Sequence, residues 1–289
     1  MSVKDILFRR LNVTNGVLKP VSGGDINDAY ELLSSDAHFF IKSNDAPQSM
    51  QMFTVEAKGL MLMKEKAGIN TPSVIDCFEE NGFAFLVLDW ISMSGNTGSS
   101  QLVFWEQLAR LHQTSSSFFG LDHDNYIGTL PQPNQVSENW LDFYYENRID
   151  FQMKLAVNSG LMDGTYHKKT ERMFKHVEAG LPKEKPALVH GDLWSGNLLY
   201  DQSGQPVFID PAVCYGSREM DLAMMKLFGG FGGFREFEVY EALFPIDKHW
   251  KERIAFYQLY YILVHVNLFG HSYVSRAQNI INYYGSRME

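Results

Sequence analysis

LVHGDLWSGNLLY, residues 188–200, sets a polar loop between two apolar runs. Asp192 and Asn197 stand five positions apart within it. That spacing suits a phosphoryl-transfer loop, in which one short segment must do two things at the same phosphate. It places a carboxylate base beside the attacking hydroxyl oxygen and an amide oxygen beside a metal ion. Thirteen positions after Asn197, the strand-like run VFIDP (207–211) delivers another carboxylate, Asp210. A His-Gly-Asp tripeptide alone is usually no more than a turn. Followed by Asn197 and a strand-borne Asp210, it predicts Asp192 as the base and Asn197 with Asp210 as ligands of Mg2+.

Working outward, the amino-terminal side has to supply contacts to a nucleotide, and it carries candidates in a suitable order. Gly23 and Gly24 form a turn whose backbone N–H groups, with no Cβ in the way, can approach phosphate closely. Lys42 ends the apolar run HFFIK (38–42), and Glu56 lies fourteen positions further on, in a helix-forming stretch. Lys42 is therefore expected at the phosphates of ATP with Glu56 as its partner. The apolar strand FLVLDWI (85–91) runs into a small, polar segment, and its end, Asp89, Trp90 and Ile91, is where backbone groups are expected to read an adenine edge.

Composition narrows the function classes. Twenty-five basic residues against 34 acidic ones give a net charge of −9. Such a balance argues against nonspecific nucleic-acid binding, which rests on neutralising phosphates. It also means that a polyphosphate ligand must bring a countercharge, again pointing to a divalent metal. Two cysteines, Cys77 and Cys214, cannot form a disulfide framework and fit no zinc spacing, so a reducing, cytoplasmic setting is expected. The charged start MSVKDILFRRLNV does not resemble a secretory leader. The most apolar window, 256–274, holds Gln258, His265, Asn267 and His271 and predicts a buried helix rather than a membrane span.

The chain's patterning is that of an α+β protein with two lobes. Residues 1–16 predict a leading helix, the runs at 29–33 and 38–42 a hairpin, residues 49–67 a helix closed by Gly68, and 74–78 with 83–88 two more strands. After SMSGNTGSS (92–100) the pattern turns helical, with segments at 102–112, 137–160, 164–179 and 219–284 around the strand-loop-strand at 187–210. The expected division is 1–91, a small antiparallel-sheet lobe for the nucleotide, and 92–289, a larger mostly helical lobe for catalysis and the acceptor.

Together these residues resemble the fructosamine/ketosamine-3-kinase family, on the aminoglycoside and choline phosphotransferase side of the protein-kinase-like superfamily. The resemblance is carried by HGDLWSGN (190–197), NYIGTLPQPN (125–134), YGSREMDLA (215–223) and LFGGF (227–231), and it covers nearly the whole chain. It implies a bilobal kinase fold and ATP- and Mg2+-dependent phosphorylation of the third-carbon hydroxyl of a ketoamine, free or protein-bound, leading to deglycation and repair. Asp192 would be the base, Asn197 and Asp210 the metal ligands, Lys42 a phosphate contact oriented by Glu56, and residues 89–91 the adenine contact. The oligomeric state stays open, with a monomer favoured. Ile209-Asp210-Pro211 stands where protein kinases have Asp-Phe-Gly. Only ten residues separate Asp210 from Asp221, too few for a peptide-docking activation segment. A kinase for another amine-bearing alcohol, such as an aminoglycoside or choline-type acceptor, and a catalytically silent nucleotide binder remain alternatives.

Several residues have two readings. His190 and Asp221 are expected to brace the loop rather than react. Trp194 either stacks on the sugar or wedges the loop. Trp140, Tyr144, Arg148 and Gln152 recur at helical spacing and border either the acceptor or the core, while Phe228 is placed near the acceptor.

Overall fold

The computed structural model describes residues 2–21, 26–93, 98–177, 180–229 and 237–286. In chain order the elements are α1 (Val3–Arg10), β1 (Gly16–Pro20), β2 (Asp28–Ser34), β3 (His38–Asn44), α2 (Ser49–Ala67), β4 (Val74–Glu80), β5 (Phe83–Asp89) and α3 (Gly98–Gln113). There follow β6 (Asn125–Ile127), β7 (Leu130–Gln132), α4 (Trp140–Tyr144), a π-helical turn (Tyr145–Asp150), α5 (Phe151–Asn158), α6 (Gly164–Val177) and β8 (Ala187–Val189). A 3-10 turn (Ser195–Asn197), β9 (Leu198–Tyr200), β10 (Pro206–Phe208), β11 (Cys214–Gly216), α7 (Glu219–Met225), α8 (Glu238–Leu243), α9 (Trp250–Phe269) and α10 (Val274–Ser286) complete the described chain. It forms two compact units, Met1–Phe104 with Leu198–Pro211, and Trp105–Asn197 with Ala212–Glu289. This differs from a cut after residue 91, because the first unit also takes the β9–β10 pair.

The first unit is built on a five-stranded antiparallel sheet in the order β1-β2-β3-β5-β4. Side chains alternate across a strand, so β3 has two faces. Phe39 and Ile41 join Ile6 and Leu7 of α1, Leu32, Phe85 and Val87 in one apolar cluster. His38, Phe40 and Lys42 therefore project from the other face. The leading helix is shorter than the 1–16 expected. Ser2 and Asp5 cap its start reciprocally. It ends at Arg10, and Asn12 takes a left-handed φ of 55°, which asparagine tolerates through its short polar side chain. The chain thus turns into β1, an element missed in the sequence, whose edge position accommodates Pro20. Helix α2 matches its expected span and ends where Gly68 (φ 62°) bonds its N–H back to Lys64 O. The β9–β10 pair is tied in by Phe208 N–H donating to Asn70 O at 2.9 Å and by Phe208 stacked on Phe104.

The second unit is helical around α9, whose Phe256, Tyr257, Leu259, Tyr260, Tyr261, Ile262, Leu263, Val264 and Val266 are all buried. A helix apolar on all sides belongs in a core. Among the described residues no helix is long and apolar enough to cross a membrane. The expected 137–160 helix is three pieces, α4, the π turn and α5. Two short antiparallel pairs, β6–β7 and β8–β11, sit among these helices.

Candidate active site

In the second unit, β8 is buried throughout and leads directly into His190. The loop from His190 onward is anchored through its backbone N–H groups. Asp221, fully buried in the first turn of α7, accepts the N–H of His190 at 2.7 Å on one oxygen and that of Gly191 at 2.9 Å on the other. His112 Nε2 lies 3.1 Å from the same carboxylate, and His112 Nδ1 is 2.7 Å from Tyr240 Oη. A buried carboxylate is stable only when so satisfied, and here that satisfaction fixes the loop. Asp221 thus has the bracing role expected of it.

Gly191 has a φ of 85°, and a Cβ there would run into the carbonyl of Ala212. Ala212 N–H in turn donates to His190 O at 2.9 Å. Gly191→Ala should destabilise the protein by about 2–5 kcal/mol, combining backbone strain with overpacking, as read by urea denaturation. At Gly196 the nearest atoms an added Cβ would meet belong to the ring of Trp194, a 39% exposed side chain that can swing away, so Gly196→Ala should cost distinctly less.

Asp192 sits half-buried at the turn, its N–H donating to His190 Nδ1 at 3.3 Å. Asn197 Nδ2 donates to Asp192 O at 2.9 Å and to its carboxylate at 3.2 Å. The amide is thereby oriented, with its Oδ1 left as an acceptor. Trp194 lies over Gly196 and meets Phe228 edge-on at 6.5 Å. Phe228 continues to His265 at 4.8 Å, and His265 to Tyr273 at 5.0 Å and Phe269 at 5.3 Å. These rings form a shelf that starts two residues from Asp192. His265 Nδ1 donates to Tyr261 O at 2.8 Å, since a carbonyl can only accept. Burial pushes the imidazole pKa down, with Arg276 adding to the shift. His265 is therefore neutral at pH 7, with Nε2 as an acceptor. Sequence reading missed it because one histidine in an apolar helix resembles a core residue.

In the first unit, Lys42 Nζ bonds Glu56 Oε1 at 2.7 Å and Asp210 Oδ1 at 2.8 Å. Burial disfavours the lysine's charge, but the Asp210 and Glu56 carboxylates outweigh it and hold its pKa above the ordinary value. Glu56 is itself pushed above the usual carboxylate range, by burial first and despite Lys42. Asp210 adopts φ 54°, rare for a non-glycine residue, and 43% of its side chain is exposed. Lys42 and Glu56 are thus the pair expected from the sequence, and Asp210 joins them, a contact the sequence reading did not include.

The other nucleotide candidates fare differently. Gly23 and Gly24 lie outside the described residues. The Asp89 carboxylate is committed to Ser73 N–H at 2.5 Å, and the N–H groups of Asp89 and Trp90 are committed to Ser73 O and His38 O. Of residues 89–91, this leaves Ile91 and the carbonyl of Trp90, which lies past the end of β5. Trp90 stacks on His38 at 4.7 Å and meets Phe40 at 6.5 Å. Phe40, two positions before Lys42 on the same face of β3, is an aromatic that strand alternation could have exposed.

Of the two readings of Trp140, its packing favours the core. Its ring stacks on Tyr144 at 5.2 Å, and its Nε1 donates to Tyr257 Oη at 3.1 Å. Partly buried, it packs against the cluster of Phe119, Phe143 and Val189. Arg148 is likewise buried, donating to Asn134 Oδ1 at 2.7 Å and to Pro133 O. The NYIGTLPQPN stretch also acquires a role. Asn125 donates to Val213 O and Gln132 to Ala212 O, while Asn134 and Gln132 both donate to Asn125 Oδ1. This buried amide network clamps the segment leading into β11, against which Gly191 packs.

Comparison with known proteins settles the family. The fructosamine kinase family model matches residues 9–286. This chain belongs to the fructosamine kinase family. A protein named "Probable ketoamine kinase" from Enterococcus faecium is 40% identical over 273 residues, covering 92% of this chain and 95% of its own length. One of the same name from Lactiplantibacillus plantarum is 38% identical over 271 residues, covering 92% and 94%. A crystal structure of a candidate fructosamine-3-kinase from Haemophilus somnus superposes with a TM-score of 0.86 at 29% identity, covering 98% of this chain and 96% of that one. Aminoglycoside phosphotransferase APH(4)-Ia, at 17% identity and a TM-score of 0.64, over 99% and 98% of the two chains, shares the fold. The protein is thus an ATP-dependent kinase of the fructosamine kinase family, with an α+β, protein-kinase-like fold.

Proposed function

We propose that this fructosamine kinase family member transfers the γ-phosphoryl group of ATP to the third-carbon hydroxyl of a sugar ketoamine. The observation that carries the reading is the Asp192–Asn197 loop with the Trp194–Phe228–His265 shelf beside it. Asp192 accepts the hydroxyl proton as the oxygen attacks, and Trp194 and Phe228 offer apolar faces to the sugar ring. The neutral His265 offers an acceptor to a donor group of the adduct. Lys42, oriented by Glu56, contacts the phosphates, with Phe40, Ile91 and the carbonyl of Trp90 available to the base.

The donor chemistry that each unit offers by itself suits Mg2+. Asp210 has one oxygen on Lys42 and a side chain 43% exposed, and Asn197 is turned so that its amide oxygen is the acceptor. These are hard oxygen donors, few in number, as suits an ion that shares its coordination with phosphate and water. When bound, it neutralises charge developing on the transferred group. Ketoamines phosphorylated at carbon 3 are labile, so the biological outcome is release of the amine, a cytoplasmic deglycation.

The test is Mg2+-dependent ATP turnover against ribulosyl-lysine, fructosyl-lysine and kanamycin, with chelation by EDTA as a control. Turnover on a ketoamine alone supports the reading and ranks the sugar. Turnover on kanamycin alone overturns it.

A further inference from the structure

The aromatic shelf does not end at His265. Phe269 is 55% exposed and Tyr273 half-buried, and three positions later, one turn into α10, stands Arg276. Its charge contributes to the depressed pKa of His265, so the two side chains are within electrostatic reach of each other. Its guanidinium lies 3.5 Å from Gln258 Oε1, on the side of α9 that also bears Tyr261 and His265 at helical spacing.

Two features make this arginine unusual. The chain carries nine net negative charges, yet Arg276 is the only formally charged residue between Ile254 and Ser286. Among the described residues it pairs with no carboxylate. The buried arginines are used structurally, Arg253 on Glu219, Arg218 on Glu184 and Arg148 on Asn134 and Pro133, whereas Arg276 is exposed. A cation in the first turn of a helix also gains nothing from the helix dipole, which favours anions there. An unpaired cation at the end of a ring-lined shelf, in a segment free of acids, suits a carboxylate attached to whatever the shelf holds.

We propose that Arg276 is a specificity-determining residue that binds the carboxylate of a free amino-acid ketoamine, so that small glycated amino acids are preferred over adducts with no nearby carboxylate. The inference rests on the ketoamine reading and deepens it. The sugar lies along Trp194, Phe228 and His265, the former amine points toward Phe269 and Tyr273, and the carboxylate on the amine's carbon reaches the guanidinium. Arg276 takes no part in proton or phosphoryl transfer, so its effect falls on KM.

The discriminating substrates are Nα-ribulosylglycine and Nα-ribulosylglycinamide, which differ only in a carboxylate against a neutral amide. Wild-type protein should show a KM about fivefold lower for the carboxylate compound, the scale of a partly solvated ion pair. Raising salt should shrink that preference. Arg276→Gln should raise KM about fivefold for ribulosylglycine, leave the glycinamide within about 1.5-fold, and keep kcat on both. Arg276→Lys should retain part of the preference. A preference that survives in Arg276→Gln, or an equal loss on both compounds, overturns the assignment. Absence of wild-type turnover on both compounds, with ribulosyl-lysine or fructosyl-lysine still turned over, overturns this assignment alone, and absence of turnover on all four overturns the ketoamine reading and this assignment with it.

Discussion

Asp192→Asn is expected to lower kcat by about 10²- to 10⁴-fold, the usual contribution of a positioned general base, while nucleotide affinity changes less than about twofold. The separation follows from where the residue sits. Asp192 contacts the loop through its own N–H to His190 and through Asn197, and an isosteric asparagine keeps the backbone partners. The loop is held by Asp221 on the two preceding N–H groups, so the variant should stay folded. What disappears is the negative oxygen that takes the proton. Steady-state kinetics beside a nucleotide titration checks both halves, and a variant turning over like wild type would remove Asp192 from the chemistry.

Lys42→Met should be costly in another way. Lys42 Nζ bridges Glu56 and Asp210, so removing it leaves two carboxylates facing each other without a cation. Breaking a fully buried pair costs about 3–5 kcal/mol. Because 43% of the Asp210 side chain is exposed, about 2–4 kcal/mol is expected here, with a large rise in KM for ATP. The pH dependence has a definite sign. Glu56 already stands above the usual carboxylate range because it is buried, and without Lys42 it should rise further. A carboxyl group whose pKa is higher folded than unfolded binds more protons in the folded state, so its stability contribution falls as pH rises. The deficit of Lys42→Met should therefore be larger at pH 8 than at pH 5.5. Urea denaturation at the two values measures it, and a deficit independent of pH would mean that Glu56 is not the group left uncompensated.

The parts legible in the sequence were those whose chemistry demands fixed spacing. Asp192 and Asn197 had to share one loop, and Lys42, Glu56 and Asp210 each carried a charge at the end or on the face of a recognisable element. Less legible was whatever depends on a third dimension. Trp140 and Trp194 look alike as exposed-or-buried tryptophans, and only packing separates the first, stacked on Tyr144 and bonded to Tyr257, from the second, 39% exposed beside Asp192. His265 sits 73 positions from Asp192 and is linked to the Asp192 loop through the rings of Phe228 and Trp194. The π turn at Tyr145–Asp150 inserts into what reads as one continuous helix, and β1 was hidden because Asn12 redirects the chain within one residue.

The way the loop is anchored bears on how such a protein can change. The reactive segment is fastened to buried groups, Asp221, His112 and the amides of Asn125 and Gln132, which almost any substitution would disturb. The rings proposed to border the acceptor, Phe228 and Phe269, lie near helix ends with open faces, and Arg276 projects from a separate helix. Chemistry and appetite are therefore written in different parts of the second unit. A lineage can exchange one sugar adduct for another by altering a few surface rings, without renegotiating the step that moves the phosphoryl group.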